Sequence, residues 1–525
     1  MRISDVITLL SLIIALVAII SEKKRKHLIL KFSNRDFGIY IIAFLLINYF
    51  VFYHQFYSGG YYFDFLYFND FGLNNPIYYS YIISLALLIT MFSKIWYSFY
   101  PKGKRELVIK YYKGLIETNE IFMLLDLIER YHSKDIVDGI NTSEDYSSKP
   151  PQYFTFEELQ KKPLKTQLHE GIKNIWGKIY NHSKYNRQEY ALLVLYNIVN
   201  TPAFIALSAS NRPYFFANLF SNFKMAKRDS FPRDLVNLYL NELIKSKNFW
   251  LIKELKESDG YDNGLPKDFF PENRIIGSLI QDVSVAHANE IWRPFGERAI
   301  KEIESENSLG NNSRLYQKHR DSELVWEYEM YISIKFFNIL VIESIVKKYT
   351  ESHFFLHYYW HFTDKILINF QSSPPPNFEE QDSFYHRFII AMNENILNWL
   401  DLANKYETDR YYDIIGCLGF QLRDLIRSPF WGENRKIELI ENILDFYCNV
   451  ETKSQTDNIR TELEKILLNP DLTREGSPYC KYVGEAWTNF DKVPHYAYGL
   501  KTEMEYFTRL KNNVITPLGL DPNES

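Results

Sequence analysis

Three cysteines in 525 residues, Cys417, Cys448 and Cys480, are too few and too scattered for a disulfide framework, which excludes a stapled extracellular scaffold. Catalytic signatures are equally scarce. The chain has no GxxxxGKS or GxxxxGKT, no GxGxxG, HExxH or GxSxG, and no CxxC pair. The nearest approach, His169-Glu170, lacks a second histidine one helix turn on, so that turn cannot chelate a metal. Glycine and proline number only 21 and 20, and they gather in short clusters rather than a repeat. Disorder is excluded by the 46% hydrophobic and 17% aromatic content. At this length two to four domain-sized units are expected, with ample core.

Charge is missing from long stretches near the start. Ile3–Ile20 is interrupted only by Asp5, the run from Phe37 carries no Asp, Glu, Lys or Arg until Asp64, and Phe71–Ser93 carries none. Each is long enough to cross a hydrocarbon core, which takes about 20 helical residues. The first has its basic cluster, Lys23, Lys24, Arg25 and Lys26, after the apolar run rather than before it. That order reads as an uncleaved anchor and not a secretory signal. Residues 21–36 and 94–113 hold six Lys/Arg each, whereas 57–76 hold none and carry Asp64 and Asp70. The positive-inside rule then predicts a transmembrane domain over 1–104, with helices at about 3–21, 37–56 and 75–95, the N-terminus outside and the C-terminal part in the cytoplasm. The basic loops also suit anionic lipid headgroups. Thirteen of the 23 residues in 49–71 are aromatic. They read as an interfacial belt, or as a re-entrant or pore-lining element hinged at Gly59-Gly60 with Tyr61, Tyr62 and Phe63. Asn48 is the one strongly polar mid-span residue, expected to hydrogen-bond between helices.

From residue 105 the net charge is acidic, 50 Lys/Arg against 60 Asp/Glu, and the apolar spacing is helical almost throughout. The predicted fold class is all-α: an N-terminal three-helix transmembrane segment followed by a large cytosolic array, solenoid-like or built of helical hairpins. Its parts are a membrane-proximal helix at 105–132, a linker at 133–164, a helical domain at 165–304 and a second at 322–525. Connectors are marked by Pro150-Pro151, Asp259–Pro271, Gly310-Asn311-Asn312, Pro374–Pro376 and 469–479. The uncharged stretch 191–211 is read as a buried hairpin broken at Pro202. All three cysteines fall on the cytoplasmic side and are expected as free thiols.

Two patterns carry possible chemistry. In 351–365 the residues His353, His357 and His361 recur every fourth position with Asp364 behind them, so they stack on one helix face. Such a face could hold a divalent metal, titrate as a proton switch, or simply pack among its aromatic neighbours. Arg314 and His319 have the spacing of the R-x4-H motif and in that resemble HEPN-type ribonucleases, with Leu315 where that family carries a polar residue. The resemblance implies a helical protein in which Arg and His of two protomers converge on an RNA phosphodiester. Apart from these a cofactor is not expected. Nucleic acid is disfavoured as a partner by the acidic balance.

About 100 membrane residues therefore serve more than 400 cytosolic ones. In these proportions the chain resembles membrane effectors of bacterial anti-phage systems. The expectation is a sensor or effector of the bacterial cytoplasmic membrane. It would bind a protein partner or small ligand on its helical region and act as a homo-oligomer, up to permeabilising the bilayer. A constitutive tethered scaffold and an enzyme of the two kinds above are the alternatives.

Overall fold

The computed structural model describes Ser11 and residues 22–63, 75–97, 100–142, 187–222, 230–258, 274–316, 323–351, 354–372, 383–474, 477–492 and 501–520. Every regular element among them is helical. The chain divides into two compact units, Met1–Phe204 and Ile205–Ser525.

In the first unit, α1 (Glu22–Leu30) is followed by α2 (Asn34–Val51), α3 (Tyr53–Ser58) and α4 (Pro76–Tyr97). A capping box starts α2: the Ser33 hydroxyl accepts from the Asp36 amide, and the Asp36 carboxylate accepts from the Ser33 amide at 2.7 Å. Helices α2 and α4 are long and apolar enough to cross a membrane. They pack together with Ser80 and Ser84 buried in α4, small residues that let two helices approach closely. The Lys94 ammonium lies 3.0 Å from the Asp36 carboxylate, joining the base of the pair. Ile39, Ile41, Ile42, Phe44, Leu45, Ile82 and Ile89 are all more than half exposed, an apolar surface that water would not favour. Most of the expected first span, 3–21, lies outside the described residues.

The expected single helix at 105–132 is two helices, α5 (Arg105–Glu117) and α6 (Ile121–Tyr131). The polar run Glu117-Thr118-Asn119-Glu120 gives no apolar face to continue, and Asn119 takes a left-handed φ of 55°. The expected linker begins instead with α7 (Ser133–Thr142), because Ile136 and Ile140 are buried and Gly139 admits the Leu192 side chain. Residues 143–186 lie outside the described residues. The stretch 191–211 is two helices, α8 over Arg187–Val199 and α9 (Pro202–Asn211), bent by 83° at Pro202. Read as one broken span it would be a third crossing by length and composition, although Ala191, Val194, Leu195, Ile198 and Val199 are buried.

The second unit continues through α10 (Tyr214–Phe220), α11 (Ser230–Lys245), α12 (Phe249–Glu257), α13 (Ile275–Ile280), α14 (Val283–Ala288) and α15 (Trp292–Ser308). It ends in α16 (Glu329–Val346), α17 (His357–Ser372), α18 (Phe384–Lys405), α19 (Tyr411–Arg427), α20 (Glu433–Asn449), α21 (Thr456–Leu467), α22 (Tyr479–Lys492) and α23 (Lys501–Leu510). From α15 onward several helices pack on a sequence neighbour and on the next but one: α15 with α16 and α17, α18 with α19, α17 with α19, α19 with α21, and α20 with α22.

The expected domain boundary around 305–321 runs through one continuous core. Across it Phe295 stacks on Phe336 with centroids 3.7 Å apart, Arg298 pairs with Glu329, the Ser333 hydroxyl donates to the Phe295 carbonyl at 2.8 Å, and Glu302 accepts from the Met330 amide. The Gly/Asn cluster there is only a pair of short 3-10 turns between packed helices.

Candidate functional site

Next to α2 and α4, four segments converge on a chain of buried polar groups. The basic run that starts α1 ends at His27, which is 4% exposed; Tyr100 follows α4; Tyr112 lies on α5; and His132 closes α6. His27 Nε2 bonds the Tyr100 hydroxyl, the Tyr100 and Tyr112 hydroxyls are 3.0 Å apart, and the Tyr112 hydroxyl is 3.0 Å from His132 Nε2. Aromatic faces enclose the chain. His132 stacks on Tyr100 at 5.7 Å and meets Tyr190 edge-on at 5.3 Å. Arg105 lies 5.1 Å from the Tyr190 ring centre, and the fully buried Lys31 lies over Tyr131 at 4.1 Å.

Counting protons defines the state of this chain. Three hydrogen bonds need three protons, and the two hydroxyls supply two. One neutral histidine must therefore donate from Nε2 while the other accepts there, so the four groups are polarised in one direction or the other. A further proton on either ring has no acceptor within the chain. Burial first, and then the positive charges of Lys31 and Arg130, lower the His27 pKa to about 4. Burial and His27 lower that of His132 to about 3. Both imidazoles are thus neutral at physiological pH. Burial together with Arg130 lowers the Lys31 pKa to about 8, and burial raises Tyr100 and Tyr112 well above ordinary phenols. No nucleophile is activated by this arrangement. It joins the two ends of the α2–α4 pair to α5 and α6, the next helices in the chain.

The sequence-predicted residues are distributed elsewhere. Lys23 and Lys24 lie on α1, Lys26 pairs with Glu22 at 2.9 Å, and Arg25 is partly buried. Asn48 donates to the Phe44 carbonyl of its own helix, one turn back, at 2.8 Å. At the far end of the hairpin Gly59 ends α3 and Gly60 turns the chain with a φ of 76°, a conformation natural to glycine. Tyr61, Tyr62 and Phe63 are exposed there; Tyr62 meets Tyr57 at 4.9 Å, and the Phe63 amide donates to the Tyr49 hydroxyl at 3.3 Å.

His357 and His361 are exposed on α17 with Asp364 on the same helix, and His353 lies outside the described residues. Burial followed by the neighbouring His357 lowers the His361 pKa. Among the described residues no three His, Cys, Asp or Glu side chains are placed to share a metal ion. Arg314 is held by Glu306, with Nε and Nη2 each 2.9 Å from the carboxylate, and stacks over Tyr328; His319 lies outside the described residues. Cys417, Cys448 and Cys480 are thiols and not joined in disulfides.

Sequence reasoning missed His27, Tyr100, Tyr112 and His132. The available signal was weak: one histidine ending a basic run, and tyrosines at positions that also fit an apolar face. The chain matches no protein-family model, and neither curated proteins nor solved structures give a match.

Proposed function

We propose that the protein is a membrane-anchored effector. Its helical region, a solenoid-like array in the cytoplasm, would bind a protein partner or small ligand, and assembly of several copies would let the membrane helices act on the bilayer, up to permeabilising it. The setting is a bacterial cytoplasmic membrane, with the N-terminus outside and the basic segments inside. One observation supports coupling in preference to simple tethering. The His27–Tyr100–Tyr112–His132 chain fixes the ends of the membrane segment to α5 and α6 with buried hydrogen bonds. Buried polar groups are costly unless fully partnered, and a passive anchor needs only a solvated linker.

Membrane potential in cells expressing the full chain tests this reading. Depolarisation by the native protein that is lost or altered in His132→Ala, with the variant present in the membrane at equal amount, is expected. An unchanged potential for native and variant alike favours the second reading, a constitutive scaffold whose array presents a peptide-binding surface.

A further inference from the structure

Helix α19 contains two interior glycines, Gly416 and Gly419. Each costs up to about 1 kcal/mol relative to alanine in a helix, so each asks for a reason. Packing explains Gly419: a Cβ there would stand 3.2 Å from the Ile466 side chain of α21. Packing does not explain Gly416, whose Cβ would meet nothing within 4 Å.

Gly416 instead floors a groove of about 300 Å³ between α19 and α21, at the small end of ligand-site volumes. Tyr412 and Phe420, 53% and 42% exposed, stand one turn before and after it and form the end walls. They are about 12 Å apart along the axis, room for a bicyclic ring lying along the helix. Exposed aromatic walls are costly to keep in water and suited to stacking.

The rim is polar and includes two cations. The Arg423 guanidinium lies 5.2 Å from the Phe420 ring centre, and its Nε donates to Asp424 at 2.9 Å. The other oxygen of Asp424 accepts from the Trp360 indole at 2.8 Å, and Trp360 packs against Phe420 at 5.5 Å. This arrangement orients Arg423 with its Nη groups left for another acceptor. Lys465 is 2.6 Å from Glu462 one turn back on the same helix, which takes one of its three donors, and Asn469, whose Oδ1 accepts from the Asp471 amide at 2.9 Å, also lines the groove.

We propose that this groove binds a purine nucleotide, with the bicyclic ring on the Gly416 floor between Tyr412 and Phe420 and a phosphate at Arg423 and Lys465. The assignment is independent of how the membrane helices act, since binding is read by itself.

The test is isothermal titration calorimetry on the full chain in detergent micelles with adenosine 5′-monophosphate, adenosine and inorganic phosphate as separate probes. The nucleotide is expected to bind; Gly416→Leu, whose side chain fills the groove, is expected to weaken it at least about tenfold, a loss of about 1.4 kcal/mol. Arg423→Gln should weaken the nucleotide and leave adenosine unchanged. Should Gly416→Leu melt early, Tyr412→Ala, which truncates an exposed ring, replaces it with the same expected loss. No heat from the nucleotide at millimolar concentration overturns the proposal, as does equal binding by a well-folded Gly416→Leu. Equal affinity for nucleotide and adenosine removes the phosphate contact, and binding of inorganic phosphate as tight as that of the nucleotide removes the ring.

Discussion

Tyr112 is bonded on both sides, to Tyr100 and to His132, so its hydroxyl controls two of the three bonds in the junction. Tyr112→Phe leaves the shape intact but strands a phenol and an imidazole in the core, at a cost of about 1–3 kcal/mol read by thermal melting in detergent. The same residues set a pH dependence. Unfolded histidines take up a proton near pH 6.5, whereas folded His27 and His132 resist it down to about 4 and 3. The folded form thus binds fewer protons below pH 6.5, and the stability these residues contribute, fully present above that pH, is lost as the pH falls, by about 1.4 kcal/mol per histidine per pH unit. Melting at pH 7 and pH 5.5 should show the loss in the native chain and a smaller one in His132→Gln. None of this was legible beforehand. His27 and Tyr100 are 73 residues apart, and periodicity sees only neighbours within a few turns. The histidines that spacing did single out, His357 and His361, remain at the surface of α17, where a regular i,i+4 array costs nothing to keep.

At the scale of the helix, glycine separates close contact from open space. At Gly296 on α15 a Cβ would fall 2.2 Å from the Tyr358 ring of α17, so Gly296→Ala must displace that ring and should cost about 1–3 kcal/mol. Gly416→Ala meets nothing and should stabilise by up to about 1 kcal/mol through helix propensity alone. Denaturant melts of the two variants give opposite signs if the distinction is right. Helix existence was well read from sequence: the expected spans at 37–56 and 75–95 correspond to Asn34–Val51 with Tyr53–Ser58 and to Pro76–Tyr97. Helix ends and breaks were not, because they depend on specific partners. Residues 105–132 break at Asn119 for lack of an apolar face, whereas 305–321 looked like a domain boundary although Arg298, Glu302 and Ser333 tie its two sides together.

Across the whole molecule, acid should act in opposite directions on the two units. In the second, burial raises the Glu254 carboxyl to about 7 although it accepts from the Ile275 and Ile276 amides at 2.9 Å. Its folded form holds a proton that the unfolded chain releases near pH 4.5, so this unit loses stability as the pH rises from 4.5 through 7. Hydrogen exchange at pH 5.5 and 7.5 should therefore show α5 and α6 better protected at the higher pH, and α12 and α13 at the lower. The contact between His27 and Tyr100 also has a consequence of parity. A strand of chain that leaves one point and returns to it has passed through any intervening sheet an even number of times. The 72 residues between them contain α2 and α4, two helices long enough to cross, so entry through the first requires return through the second. Cysteines introduced at Ser58 and at Lys104 would then react with an impermeant maleimide from opposite faces. Labelling of both from one face would mean that the hairpin lies on the bilayer without passing through it.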